Sequence, residues 1–143
     1  MISIDCIFCR IIKGKVFAHR VFENKNILAF LDMHPLSKGH TLVIPKPHVA
    51  RLEDLNFEDC EALFKSVYEL VSTIQDAVNA PSTTIAINNG VESGQEIQHV
   101  HVHIIPRFKN DGGGPIHILM KRRPNIRLDV MIEIAQKILD SSK

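Results

Sequence analysis

No apolar run in this 143-residue sequence approaches the ~18 residues of a membrane-spanning helix, and Asp5 and Arg10 interrupt the apolar residues at its N-terminus. Neither a signal peptide nor a membrane span is expected, which points to a cytoplasmic protein. An excess of one charge is missing too. The formal net charge is +1, and the one basic cluster, Lys121-Arg122-Arg123, is too short to form a footprint for nucleic acid or an anionic membrane. Cysteine is scarce. There are three, and an odd number with Cys6 and Cys9 packed into one Cys-x-x-Cys pair does not suit the disulfide framework of a secreted domain. No internal repeat or low-complexity tract is visible. What is present is 45% hydrophobic residues with near-average charge, enough for one compact domain with a proper core.

The pattern along the chain predicts an α+β domain. Residues 6–13 are apolar with a helical lean and stop at Lys13-Gly14-Lys15, which reads as a short helix closed by glycine. Arg20–Glu23 and Ile27–Asp32 are strand-like runs joined by the turn formers Asn24-Lys25-Asn26, and a third strand, His40–Ile44, ends at Pro45 and Pro47. Asn56 precedes Phe57-Glu58-Asp59 as an N-cap before acids, and Cys60, Leu63, Phe64, Val67, Leu70, Val71, Ile74 and Val78 recur at helical spacing. The main helix is therefore expected over about residues 56–79, with Cys60 in the core. Thr83–Asn88 reads as a fourth strand and His99–Pro106 as a fifth, the whole as an antiparallel meander. After the linker Asp111–Pro115, Ile126, Val130, Met131, Ile134, Ile138 and Leu139 outline a second amphipathic helix behind Pro124.

The chemistry concentrates at His99, His101 and His103, which alternate with Val100 and Val102 and run into Ile104-Ile105-Pro106. Positions i, i+2 and i+4 of a strand share one face about 6.5–7 Å apart, whereas a helix would turn the middle one away. The aliphatic partners favour strand. A neutral imidazole is a nucleophile, proton carrier or metal ligand near pH 7. The Cys6-x-x-Cys9 pair supplies half of a tetrahedral zinc site, and His48 with one histidine of the triplet could supply the rest. Reduced structural cysteines are the alternative. Redox chemistry fits less well, because a pair at residues 6–9 is not expected to leave room for a preceding strand of the thioredoxin type.

His99-Val-His101-Val-His103-Ile-Ile resembles the signature of the histidine triad (HIT) superfamily of nucleotide-binding and nucleotide-hydrolysing proteins. Further segments follow in the order and spacing of its Hint branch: Cys6-Ile-Phe-Cys9-Arg-Ile-Ile, Ala29-Phe30-Leu31-Asp32, Gly39-His40 through Pro45-Lys-Pro-His48, Asn88-Asn-Gly90, and Gly94-Gln95. The resemblance covers about residues 6–108. It implies a five-stranded antiparallel sheet with one long helix and a short N-terminal helix over 1–110. Residues 111–143 would add a glycine-rich linker and C-terminal helix to the same domain.

The resemblance also implies roles. His101 looks like the nucleophile that attacks the α-phosphorus of an adenylated substrate, with His103 and His40 around the same phosphate. Asn88 and the backbone near Gly94 and Gln95 would add neutral donors. Asp32 would accept from the ribose hydroxyls, and Phe8, Phe30 and Met33 would form a slot for the base, although an aromatic such as Phe30 is core as often as wall. Zinc would fall to Cys6, Cys9, His48 and His99. With four protein ligands it would be structural. Glu96 departs from the Ser or Thr common in the branch, and a carboxylate beside a phosphate is repulsive unless turned away or protonated, so the leaving-group acid stays unassigned.

The expected activity is hydrolysis of AMP or GMP conjugates such as phosphoramidates or acyl-adenylates, by a homodimer, with water as final acceptor because the third position is His103 rather than glutamine. A dinucleoside polyphosphate hydrolase, a nucleotide-binding regulator with incidental turnover, and a zinc module without catalysis are the rival readings.

Overall fold

Asn56 starts the main helix as its chemistry dictates. In the computed structural model, which describes residues 5–141, its side chain accepts from the Asp59 amide at 2.8 Å and caps α2 (Phe57–Val78). (The short helix α1 spans Ile7–Ile12.) Glu58 and Asp59 place negative charge where the helix dipole is positive, and Asn79 ends the helix in the left-handed conformation, φ 56°. Leu63, Val67, Leu70 and Ile74 form the buried stripe of α2 and pack on Ile27, Ala29, Val43, Val102 and Ile104 of the sheet. Each such side chain contributes about 1.5–3 kcal/mol through burial. Cys60, expected in this core, is half-buried at its margin, and Phe64 is exposed.

The strands are β1 (Arg20–Glu23), β2 (Ile27–Leu31), β3 (Thr41–Pro45), β4 (Ser82–Ala86) and β5 (Val102–Arg107), in the spatial order β1-β2-β3-β5-β4 with every neighbour antiparallel. Strands β1 to β3 form the expected meander, but β4 does not continue it. Both β3 and β4 run antiparallel to β5 and hence parallel to each other, and a parallel relation needs a long crossover, which α2 provides. The near-continuous apolar runs of β2 and β3 follow from burial on both faces. Ile27, Ala29 and Val43 meet α2, while the alternate residues Leu28, Phe30, Leu42 and Ile44 meet α1 on the other side.

Strand β5 starts at Val102, three residues later than the alternation predicts. Its pairing with β3 stops at Val43↔Val102 because the next stretch of β3 ends in Pro45, which has no amide to offer. The Val100 amide turns to the Val49 carbonyl instead, at 2.8 Å.

The chain divides into two compact units, Met1–Asp111 and Gly112–Lys143. The first holds the sheet, α1 and α2. The second contains one 3-10 turn at Ile116–Ile118 and α3 (Leu128–Ser141), on which Met131, Ile134 and Ile138 recur at helical spacing. Among the described residues no helix is long and apolar enough to cross a membrane.

Candidate active site and metal centre

A cleft of about 630 Å³ opens where α1, the ends of β2 and β4, and the starts of β3 and β5 converge. One row of the sheet, Phe30–Leu42–His103 in register, lines it, and Ala86 continues the row on β4. The nearly buried rings of Phe8 and Phe30 meet edge to face with centroids 5.5 Å apart, at the apolar end that also carries Ile11, Val16 and Phe17. Gly39 delivers His40 to the cleft: its φ is +88°, and a Cβ there would stand 2.9 Å from Val78 Cγ1.

Backbone partners dictate which nitrogen of each histidine carries the proton. His101 Nδ1–H donates to its neighbour's carbonyl, His99 O, at 2.7 Å, which leaves Nε2 with a lone pair. The Leu36 amide donates to His40 Nδ1 at 3.0 Å, so the His40 proton sits on Nε2 and points to His103 Nδ1, 2.9 Å away. By the same logic the His103 proton sits on Nε2. A relay thus runs from a backbone amide through two imidazoles and ends in an N–H donor. Burial lowers the pKa of His40 and of His101, and it lowers that of His103 to about 4, with the neighbouring His101 and His40 adding to the effect. All three rings are neutral at pH 7. Asp32 Oδ1 accepts from the His34 amide at 2.8 Å, and Oδ2 lies 3.7 Å from His40 Nε2.

The second cluster lies on the other side of Phe8, whose ring contacts both His99 and His101 edge to face, at 5.8 and 5.1 Å. Here His99 Nε2–H donates to Pro45 O at 2.7 Å, so the lone pair is on Nδ1. That atom stands 3.3 Å from His48 Nδ1, 3.5 Å from Cys6 Sγ and 3.6 Å from Cys9 Sγ, and His48 Nδ1 is 3.4 Å from Cys9 Sγ. Two sulfurs and two nitrogens bound tetrahedrally to zinc at ~2.3 and ~2.05 Å are separated by roughly 3.3 Å (N to N) and 3.6 Å (N to S). The donor set fits zinc in type and in spacing. Burial pushes the His99 imidazole down to about 4 and raises the Cys6 thiol.

Of the residues singled out from sequence, Phe8, Phe30, Asp32, Met33, His40, Asn88, Gly94, Glu96, His101 and His103 line the cleft, and Cys6, Cys9, His48 and His99 converge on one another apart from it. Phe30 serves both as core and as wall. Gln95 is not among the residues that line the cleft. Its buried side chain is spent on the loop, with Oε1 accepting from the Gly90 amide at 2.8 Å and Nε2 donating to Ala50 O and Ile97 O, and its own amide bonds Gly90 O at 3.3 Å. Sequence reading missed Ile7, Ile11, Val16, Phe17, Leu36 and Ile97 in the lining. Ile7 and Ile11 were visible as one helical ridge flanking Phe8, but nothing distinguished that ridge from core.

A family model described as HIT domain matches residues 13–110. The chain is 39% identical over 109 residues to an adenosine 5'-monophosphoramidase of Schizosaccharomyces pombe, covering 76% of this chain and 79% of that one. A crystal structure of a HIT family protein from Bacillus anthracis superposes with TM-score 0.87 at 35% identity and 99% coverage of both chains. That of a zinc-bound histidine triad family protein from Mycobacterium smegmatis gives TM-score 0.71 at 32% identity, covering 97% of this chain and 98% of that one.

Proposed function

The chain belongs to the HIT family, and from that premise we propose that it hydrolyses conjugates of a purine nucleoside monophosphate, phosphoramidates or acyl-adenylates, through a nucleotidyl-histidine on His101. The observation that carries this reading is the His101 Nδ1–His99 O hydrogen bond, which leaves Nε2 unprotonated at the cleft. Nε2 attacks the α-phosphorus, and the bond from phosphorus to the leaving nitrogen or oxygen breaks with its electron pair. The leaving group takes up a proton from solvent as it departs. Water then attacks the same phosphorus, the Nε2–P bond breaks, the water proton passes to solvent, and the nucleoside monophosphate leaves. His103 Nε2–H and the Asn88 side chain act as neutral donors to the phosphoryl oxygens, where charge builds in each transition state. Phe8, Phe30 and Met33 hold the base, and Asp32 the ribose hydroxyls.

Cys6, Cys9, His48 and His99 hold a structural zinc ion. With these four residues as its ligands the ion would tie the N-terminal segment to the strand entry that carries His101, a structural rather than a catalytic task. The protein works as a homodimer. Phe57, Phe64 and Tyr68 stand exposed on one face of α2, and β4, on which Ile85 is exposed, is an open edge of the sheet. Light scattering reads the mass directly.

The decisive experiment mixes the protein with adenosine 5'-phosphoramidate, quenches in alkaline denaturant to preserve P–N bonds, and maps the adduct by mass spectrometry. AMP on His101 is the expected result. An adduct on another residue, or rapid turnover by a His101→Gly variant, overturns the proposal.

A further inference from the structure

Asn88 stands in a stretch of chain that the sheet no longer holds. The pairing of β4 with β5 ends at Ala86↔His103, two residues earlier, and the Asn88 side chain lines the cleft without a hydrogen bond to any of the described residues. What fixes it comes from the next residue along the chain. Asn89 is not part of the lining, and its side chain reaches residues 52 and 53 instead: Oδ1 accepts from the Leu52 amide at 2.8 Å and Nδ2 donates to Glu53 Oε2 at 2.7 Å. A donor on one side and a carboxylate on the other leave a single orientation for the Asn89 amide.

The grip extends to the neighbours of both residues. Glu53 Oε1 accepts from Arg51 Nε at 2.6 Å, and the Arg51 guanidinium lies against Gly90, where a Cβ would stand 2.8 Å from Nη1. The Gly90 amide in turn donates to Gln95 Oε1, and Gln95 Nε2 donates to Ala50 O at 2.7 Å, so a second clamp joins the same two segments. Asn88 is thus bracketed between the ladder to His103 and a clamp on residues 50–53. A neutral donor is effective only when it is aimed, before the reaction, at the place where charge develops.

Resting on the nucleotidyl-histidine reading above, we propose that Asn89 is a positioning residue for that reaction: gripped between the Leu52 amide and the Glu53 carboxylate, it aims the Asn88 side chain at the phosphoryl oxygens. In that reading other residues hold the base and the ribose, so the aim of Asn88 matters to the transition state more than to the bound substrate. A misplacement of about 1 Å costs up to about 10²-fold in rate, and one donor of two warrants about tenfold.

The test is a complementation series assayed with adenosine 5'-phosphoramidate. Asn89→Asp keeps the acceptor for the Leu52 amide but sets a second carboxylate against Glu53, and kcat falls about tenfold with KM within about twofold of wild type. Glu53→Gln in the same chain offers the new carboxylate an amide donor while its oxygen still accepts from Arg51, and kcat returns to within about twofold; Glu53→Gln alone does not raise kcat. Asn88→Ala lowers kcat about tenfold, and adding Asn89→Asp costs less than about twofold more, because Asn89 acts through Asn88. Unchanged kcat in Asn89→Asp, a loss confined to KM, no recovery with Glu53→Gln, or losses at the two asparagines that multiply overturns the proposal. Should Asn89→Asp fail to fold, Glu53→Ala at its exposed position takes its place: kcat about threefold lower with KM kept supports the clamp, and unchanged kcat overturns it. Mass analysis of the wild-type adduct separates the two levels. With AMP on His101 these failures remove the positioning role alone; an adduct on another residue removes the underlying reading as well.

Discussion

His99 and His101 are two residues apart on the same stretch of backbone, yet one points its lone pair at two thiols and the other at a cleft. The difference is which ring nitrogen meets a carbonyl. Pro45 O takes the Nε2 proton of His99 and leaves Nδ1 to join Cys6, Cys9 and His48; His99 O takes the Nδ1 proton of His101 and leaves Nε2 to the cleft. The same side chain becomes a ligand or a nucleophile according to its hydrogen-bonded partner. The comparison also teaches that the two sites are linked through backbone: the carbonyl that orients His101 belongs to the residue whose ring joins Cys6, Cys9 and His48.

Replacing His101, the proposed nucleophile, separates the sites most sharply. His101→Gly is expected to lower kcat by at least about 10³-fold while nucleotide still binds and the melting temperature responds to chelator as in wild type. Stopped assays, calorimetry and thermal melts read the three quantities. Next comes the proposed zinc site. Cys9→Ser, or a zinc chelator, should lower the melting temperature by on the order of 10 °C, with AMP giving partial protection. An unchanged melt would remove the zinc ion from the account.

A smaller effect tests the relay. His40→Ala strips His103 Nδ1 of its donor and frees the His103 proton to move to Nδ1, so kcat should fall by on the order of 10²-fold with little change in KM. An equal loss in KM would point to substrate binding instead.

The mildest test is pH. The His103 pKa lies near 4 in the folded protein against ~6.5 in an unfolded chain, so the unfolded state binds more protons between those values. The stability gained from its neutral burial is complete above about pH 6.5 and is lost progressively as pH falls towards about 4. Urea melts at pH 7 and pH 4.5 should show this loss, with a shallower pH dependence for His103→Gln.

Much of this was legible in residue order. The alternation of histidine with valine announced a shared side, and the rings of His101 and His103 do follow one another with centroids 5.0 Å apart. Short-range rules also located β1 at its observed bounds and α2 to within a residue at each end, because caps and helical spacing are written locally. Local patterning failed where a distant partner decided. The late start of β5 depends on Pro45 and Val49, and the place of β4 beyond β5 depends on the α2 crossover. The order of residues also gives no sign that the Gln95 side chain is taken up by Gly90, Ala50 and Ile97, which lie on two different loops.

The sequence by itself determined the inventory of chemistry: two thiols, the histidines with their spacing, a carboxylate after β2, and apolar runs able to bury a sheet on both faces. The tertiary structure decided which imidazole serves which task. That choice rests on single carbonyls and amides brought within about 3 Å from residues far along the chain, such as Pro45 for His99, and hydrogen bonds of that range respond to position in space, which order along the chain does not specify.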